Sequence, residues 1–151
     1  MAAHVMIVEA RFYDEIADAL FDGATAALDA AGATYERFSV PGAFEIPASI
    51  GYAARAMEGP DPACRFDGFV ALGCVIRGQT THYDYVCTES ARGLQDLALQ
   101  RGLAIGYGIL TCENGEQAMH RARRDEADRG GAAARACLAM IELKARLGLE
   151  G

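Results

Sequence analysis

A chain of 151 residues fits one domain and leaves little room for two. Apolar residues make up 52% of it, which excludes a disordered linker, and a formal charge of −7 argues against a nucleic-acid binder. Its cationic side chains are thirteen Arg and one Lys, Lys144, so an enzyme whose own lysine forms a Schiff base is hard to build here.

Short apolar runs alternate with helical stripes. His4–Glu9 reads as a first strand. Asp14–Ala31 follows as a helix, with Ile16, Leu20, Ala24, Ala27 and Ala31 on one face, and Gly32 suits the left-handed residue past its end. Tyr35–Val40 is a second strand, and Pro41-Gly42 a sharp turn. A helix then opens near Phe44–Pro47, where a first-turn proline is tolerated, and runs to about Met57. Gly59–Asp67 is the longest polar connection. Phe69–Ile76 is apolar nearly throughout, as in a strand covered on both faces. After the polar loop Arg77–His82, a helix runs to about Arg101, with a stripe at Cys87, Ala91, Leu94 and Ala98; Gly102 ends it. Ala104–Leu110 is a fourth strand. Asn114 with Gln117 marks the start of a short helix. The last helix, roughly Asp128–Leu147, shows a stripe at Ala132, Ala136, Met140, Leu143 and Leu147. This order predicts an α/β fold in three layers, α-β-α, around a four-stranded parallel sheet.

No stretch approaches the roughly 18–20 apolar residues of a membrane span. The first residues lack a cationic flank and reach Glu9 too soon for a signal peptide, so the expected location is cytoplasmic. The five cysteines are Cys64, Cys74, Cys87, Cys112 and Cys137. An odd count without a Cys-x-x-Cys pair speaks against a disulfide framework and a zinc site.

Parallel sheets bind ligands at the carboxyl ends of their strands. The loops there are Ala10–Asp14, Val40–Pro47, Cys74–Asp84 and Leu110–Gln117. Gly78, Gln79, Thr80 and Thr81 precede a helix start, where backbone N–H groups and the dipole favour an anion; a threonine that merely caps the helix is the competing reading. His82 lies at the same place. Imidazole is the usual proton shuttle, and neither His4 nor His120 falls at a predicted ligand end. Phe44 and Glu45 could stack on a flat ring and accept its N–H groups, or could be a hydrophobic staple with a dipole-matched acid. Phe12 is a second aromatic in a ligand loop, with core packing as its alternative. Arg121, Arg123, Arg124 and Arg129 cluster around Asp125, Glu126 and Asp128, by default a solvated face, although one Arg could clamp a phosphate.

Val40–Pro47 and Ala71–Val86, with Ala10–Phe12, Gly106–Thr111, Glu116–Ala118 and Arg121, resemble the lumazine synthase (6,7-dimethyl-8-ribityllumazine synthase) family over nearly the whole chain. The resemblance implies a flavodoxin-like strand order 2-1-3-4. It implies riboflavin biosynthesis: condensation of 5-amino-6-(D-ribitylamino)uracil with 3,4-dihydroxy-2-butanone 4-phosphate, releasing phosphate and water, with no metal or organic cofactor. The imine joins the two substrates, so no enzyme lysine is needed. Phe12 matches the family's stacking aromatic. Ala43, Phe44 and Glu45 match the segment that holds the pyrimidine and ribityl chain, and Cys74, Val75 and Ile76 the strand end whose backbone reads the uracil edge. Gln79 and Thr80 match the phosphate-binding helix start, and His82 the proton-transfer residue. Tyr107 stands where the family often has Phe, reaching over the pocket of a neighbouring subunit. Arg121 matches the phosphate-binding Arg, and Arg129 could replace the usual Lys.

The segment from Arg121 to Gly130 departs from the common Gly/Lys/Asn-rich version, and Asp125 falls where Lys is common. With little chain before the first strand, a pentamer or a pair of pentamers is expected rather than a sixty-subunit shell. Riboflavin synthase is a candidate partner; nucleic acid and membranes are not. The alternatives are the related archaeal-type riboflavin synthase, a non-catalytic lumazine- or flavin-binding paralogue or assembly scaffold, and a generic phosphate-sugar enzyme on the same fold.

Overall fold

Alternation along the strands sorts the apolar side chains onto two faces of one sheet. The computed structural model describes residues 2–149. Among them the strands are β1 (His4–Ala10), β2 (Thr34–Val40), β3 (Gly68–Ile76) and β4 (Ile105–Cys112). The helices are α1 (Asp14–Ala30), α2 (Ile46–Ala56), α3 (His82–Arg101), α4 (Gly115–Ala122) and α5 (Arg129–Arg146). The sheet is parallel in the order β2-β1-β3-β4, as expected. β1 pairs with β2 on one side, His4 opposite Thr34, and with β3 on the other, Val5 opposite Gly68. The chain therefore reverses its direction of travel across the sheet at β1, and a crevice opens there at the carboxyl ends.

Val5 and Ile7 of β1 point to one face with Val70, Leu72 and Cys112, under α1, α4 and α5. Met6 and Val8 point to the other with Phe69, Ala71 and Ile109, under α2 and α3. Full burial of one such aliphatic side chain stabilises the fold by about 1.5–3 kcal/mol. β2, at the sheet edge, is largely exposed.

Three local details, at α5, α1 and α3, differ from the sequence reading. The first is at α5, where the buried residues are Gly130, Gly131, Ala133, Ala134 and Cys137, not the expected stripe. Met140, Leu143 and Leu147 face outward. Glycines decide this. A Cβ on Gly130 would lie 2.1 Å from the Leu20 carbonyl oxygen, and one on Gly106 1.9 Å from that of Ala133. Backbone meets backbone there, so the closest contact surface carries no large apolar signal. In α1, likewise, Leu28 is buried while Ala31 is exposed.

At α2, a single 3-10 turn, Ala43–Glu45, precedes the helix, and Pro47 sits in its first turn. At α3, Thr81 occupies the N-cap position but makes no side-chain cap. Thr80 instead accepts a 3.3 Å hydrogen bond from the His82 N–H through its hydroxyl. Asn114 does cap α4, accepting from the Gln117 N–H at 2.9 Å. Gln117 reaches back to the Glu113 N–H, one residue before the cap. Gly32 and Gly102 are left-handed, with φ of 73° and 64°.

Candidate active site

The crevice at the ends of β1, β2 and β3 holds a cavity of about 570 Å³. Eight of the expected residues line it: Phe12, Ala43, Phe44, Glu45, Cys74, Val75, Ile76 and His82. Each is set by its element. Ala10 ends β1 and the chain turns out through Arg11 and Phe12 before Tyr13 opens α1. The 3-10 turn projects Phe44 and Glu45 outward while burying Ala43. The last residues of β3 form the floor, and His82 stands at the first position of α3.

Phe12 is 73% exposed and Phe44 56%. That removes the core-packing alternative for Phe12 and the staple alternative for Phe44. A large exposed ring costs solvation, and two beside one cavity mark a surface for a flat apolar face. Burial raises the Cys74 thiol to about 12, helped by Cys112 and Cys87 nearby. It is therefore a neutral wall at physiological pH, not a nucleophile. Tyr13 is also pushed above its ordinary value, chiefly by burial.

Gln79 and Thr80 are exposed in the loop beside the cavity. Arg77 braces that loop. Its guanidinium bonds Glu113 at 2.7 Å, approaches Asp84 at 3.5 Å and lies 4.3 Å from the centre of the Tyr83 ring.

Tyr107, Arg121 and Arg129 are not brought to this cavity. Tyr107 is half-exposed in a separate groove between α3 and β4, with Ala91, Leu94, Gln95, Ala98 and Ile105. Partial burial pushes its phenol up. Arg121 lies on α4 and donates to the Gln117 carbonyl at 3.3 Å. Arg129, at the start of α5, is exposed. Of the neighbouring charges, Arg123 is paired with Asp125 and Glu126, and Arg124 with Asp22.

Sequence reasoning missed Tyr13, Pro41, Gly42 and Val86, which also line the cavity. The Pro41-Gly42 turn was legible only as a turn. Among the described residues no cluster of three or more His, Cys, Asp or Glu could hold a metal ion, and no helix is long and apolar enough to cross a membrane.

Comparison with known proteins bears directly on this arrangement. The family model described as 6,7-dimethyl-8-ribityllumazine synthase matches residues 2–145. The chain is 64% identical to 6,7-dimethyl-8-ribityllumazine synthase 1 of Rhizobium meliloti (strain 1021), over 97% of this chain and 95% of that one. It is 60% identical to the Agrobacterium fabrum 6,7-dimethyl-8-ribityllumazine synthase over 96% of this chain and 97% of that one. For the Sphingopyxis alaskensis protein of the same name the identity is 54%, over 97% and 99%. Likeness at this level along the full length of both partners, on a sheet of the expected order, leaves one conclusion: the chain belongs to the 6,7-dimethyl-8-ribityllumazine synthase family.

Proposed function

We propose that this chain, as a single domain, condenses 5-amino-6-(D-ribitylamino)uracil with 3,4-dihydroxy-2-butanone 4-phosphate to 6,7-dimethyl-8-ribityllumazine, releasing phosphate and water. The observation that carries the reading is the convergence of Phe12, Phe44, Glu45 and His82 on one mainly apolar cavity at the switch point of the sheet. In family members of this similarity the same name recurs.

The pyrimidine stacks on Phe12, with Ala43, Phe44 and Glu45 around it and its ribityl chain. Backbone groups of Cys74, Val75 and Ile76 read the uracil edge. The phosphate sits at Gln79 and Thr80, where the N–H groups opening α3 and the helix dipole favour an anion. His82, at the first position of that helix, moves protons as the imine forms and the phosphate leaves. The imine nitrogen comes from the pyrimidine, consistent with a chain whose one lysine, Lys144, lies near the far end of α5. Holding the two reactants in register supplies much of the rate, because well-oriented pairs reach effective molarities of about 10⁵ M or more.

Tyr107, Arg121 and Arg129 serve a neighbouring subunit's cavity in a homo-oligomer, a pentamer or a pair of pentamers. The half-exposed Tyr107 ring in an apolar groove supports this, since such a ring gains by being covered. The enzyme works in the cytoplasm, with riboflavin synthase as a candidate partner; its cysteines are free among the described residues. The direct test mixes the two substrates with the protein and follows lumazine absorbance. Product formation at a rate proportional to protein is expected; no product would overturn the reading.

A further inference from the structure

Glu9 is the one charged side chain that is fully buried among the described residues, at 1% exposure. A buried carboxylate must be paired and hydrogen-bonded, or it becomes a large penalty. Both its oxygens are engaged. Oε1 accepts from Nη1 of Arg11 at 2.9 Å; Oε2 accepts from Nε of Arg37 and, at 3.4 Å, from the Ser39 hydroxyl. Arg37 comes from β2, and its guanidinium lies 3.8 Å from the centre of the Phe21 ring on α1. Arg11 spreads further. Its Nε approaches Asp14 at 3.3 Å and its Nη2 donates to Asp18, both in α1. One planar guanidinium thus ties the end of β1 to the first turns of α1. A lysine, a point charge with one head group, cannot span three carboxylates in that way.

Phe12 is the next residue. Among the described residues its one aromatic neighbour is the Tyr13 ring, edge-on at 5.0 Å, and the rest of its ring is open to the cavity. Packing alone does not hold it. Its two chain neighbours do: Tyr13, whose carbonyl accepts the first helical hydrogen bond from Ala17, and Arg11, pinned on the α1 side. Phe12 sits in the bend between these two fixed neighbours, so its backbone is held from both sides.

We propose that Arg11, clamped by buried Glu9, is a positioning residue that fixes Phe12 as the floor for the pyrimidine. The proposal rests on the reading of Phe12 given above. Arg11 touches neither substrate; its role is to remove the freedom that Phe12 would lose on binding.

A double-mutant cycle tests it, using wild type, Arg11→Gln, Phe12→Ala and the double variant. The readout is KM for the pyrimidine substrate, with kcat and KM for the butanone phosphate measured alongside. Phe12→Ala is expected to raise the pyrimidine KM about three- to tenfold, the range of one aromatic contact. Arg11→Gln is expected to raise it comparably, with KM for the butanone phosphate unchanged. The double variant should be no worse than Phe12→Ala, because the Arg11 effect passes through that ring. An Arg11→Gln penalty that persists undiminished without the ring overturns the proposal, as does a wild-type pyrimidine KM in Arg11→Gln. An unchanged KM in Phe12→Ala would instead overturn the functional reading. Should Arg11→Gln fail to fold, Arg11→Lys, which keeps a cation against Glu9 but not the fork, is read through the same cycle.

Discussion

His82 and the buried thiols show how position sets what a titratable group can do. His82 is exposed at the start of α3, within the cavity that Phe12 and Phe44 wall. On its proposed role, replacing it with alanine would remove proton transfer and leave both binding surfaces. We expect kcat to fall by roughly 10²–10⁴-fold, with measurable turnover remaining. A dead enzyme would mean His82 also holds substrate, and an unchanged one that it moves no proton. The thiols act on stability instead. Burial pushes Cys74 and Cys137 up to about 12, from a reference of 9.0. Below pH 9 both states keep these protons and stability is unaffected. Between there and about 12 the unfolded chain sheds protons that the fold retains. Stability therefore falls as pH rises, by up to about 1.4 kcal/mol per pH unit for each thiol. Urea titrations at pH 8, 9 and 10, at fixed protein concentration, should show the decline beginning near pH 9. Cys137→Ala should be less stable at pH 8 yet lose less on going to pH 10.

Among the elements, α5 reads least well from sequence, and the cause is physical. Its apolar stripe Ala132, Ala136, Met140, Leu143 and Leu147 has good helical spacing, but its contact face is Gly130, Gly131, Ala133, Ala134 and Cys137. Small residues let α5 lie against α1 and the sheet, and small residues carry little hydrophobic signal. Gly130→Ala should make this visible. Its methyl would meet the Leu20 carbonyl, so we expect a loss of about 1–3 kcal/mol or more, read as a lower urea midpoint. Gly51, inside α2, is the contrast. A methyl there meets only the Leu97 side chain, at 3.8 Å, so Gly51→Ala should stabilise by about 0.4–1 kcal/mol. The strands were far more legible. β3 was placed to within a residue because a strand covered on both faces makes a continuous apolar run, and the turn after β2 was placed by its Pro41-Gly42 pair. The candidate site was legible where its chemistry follows the strand ends, in the 3-10 turn with Phe44 and Glu45 and at His82 opening α3. It was not legible at Glu9, an acid at a strand end whose partners Arg11 and Arg37 lie in the loop after β1 and in β2. Nothing in linear spacing announces that they meet.

At the scale of the whole molecule, the cavity lies on one flank and Tyr107, Arg121 and Arg129 lie outside it. If they complete a site, they complete a neighbour's. Such a contact is head-to-tail, and head-to-tail contacts close into rings when the rotation between neighbours returns to its start. A sedimentation mass of five or ten subunits is expected, and a mass near sixty would refute it. The sharper test is complementation. Arg121→Ala chains lack the clamp but keep His82; His82→Ala chains lack the proton shuttle but keep Arg121. Each homogeneous ring carries only damaged sites. In rings assembled by co-expressing equal amounts, about one interface in four joins an intact His82 to an intact Arg121. Activity should then rise well above the sum of the two separate variants, toward about a quarter of wild type. If both groups serve the cavity of their own chain, no interface is repaired, and the mixed rings will do no better than the average of their parents.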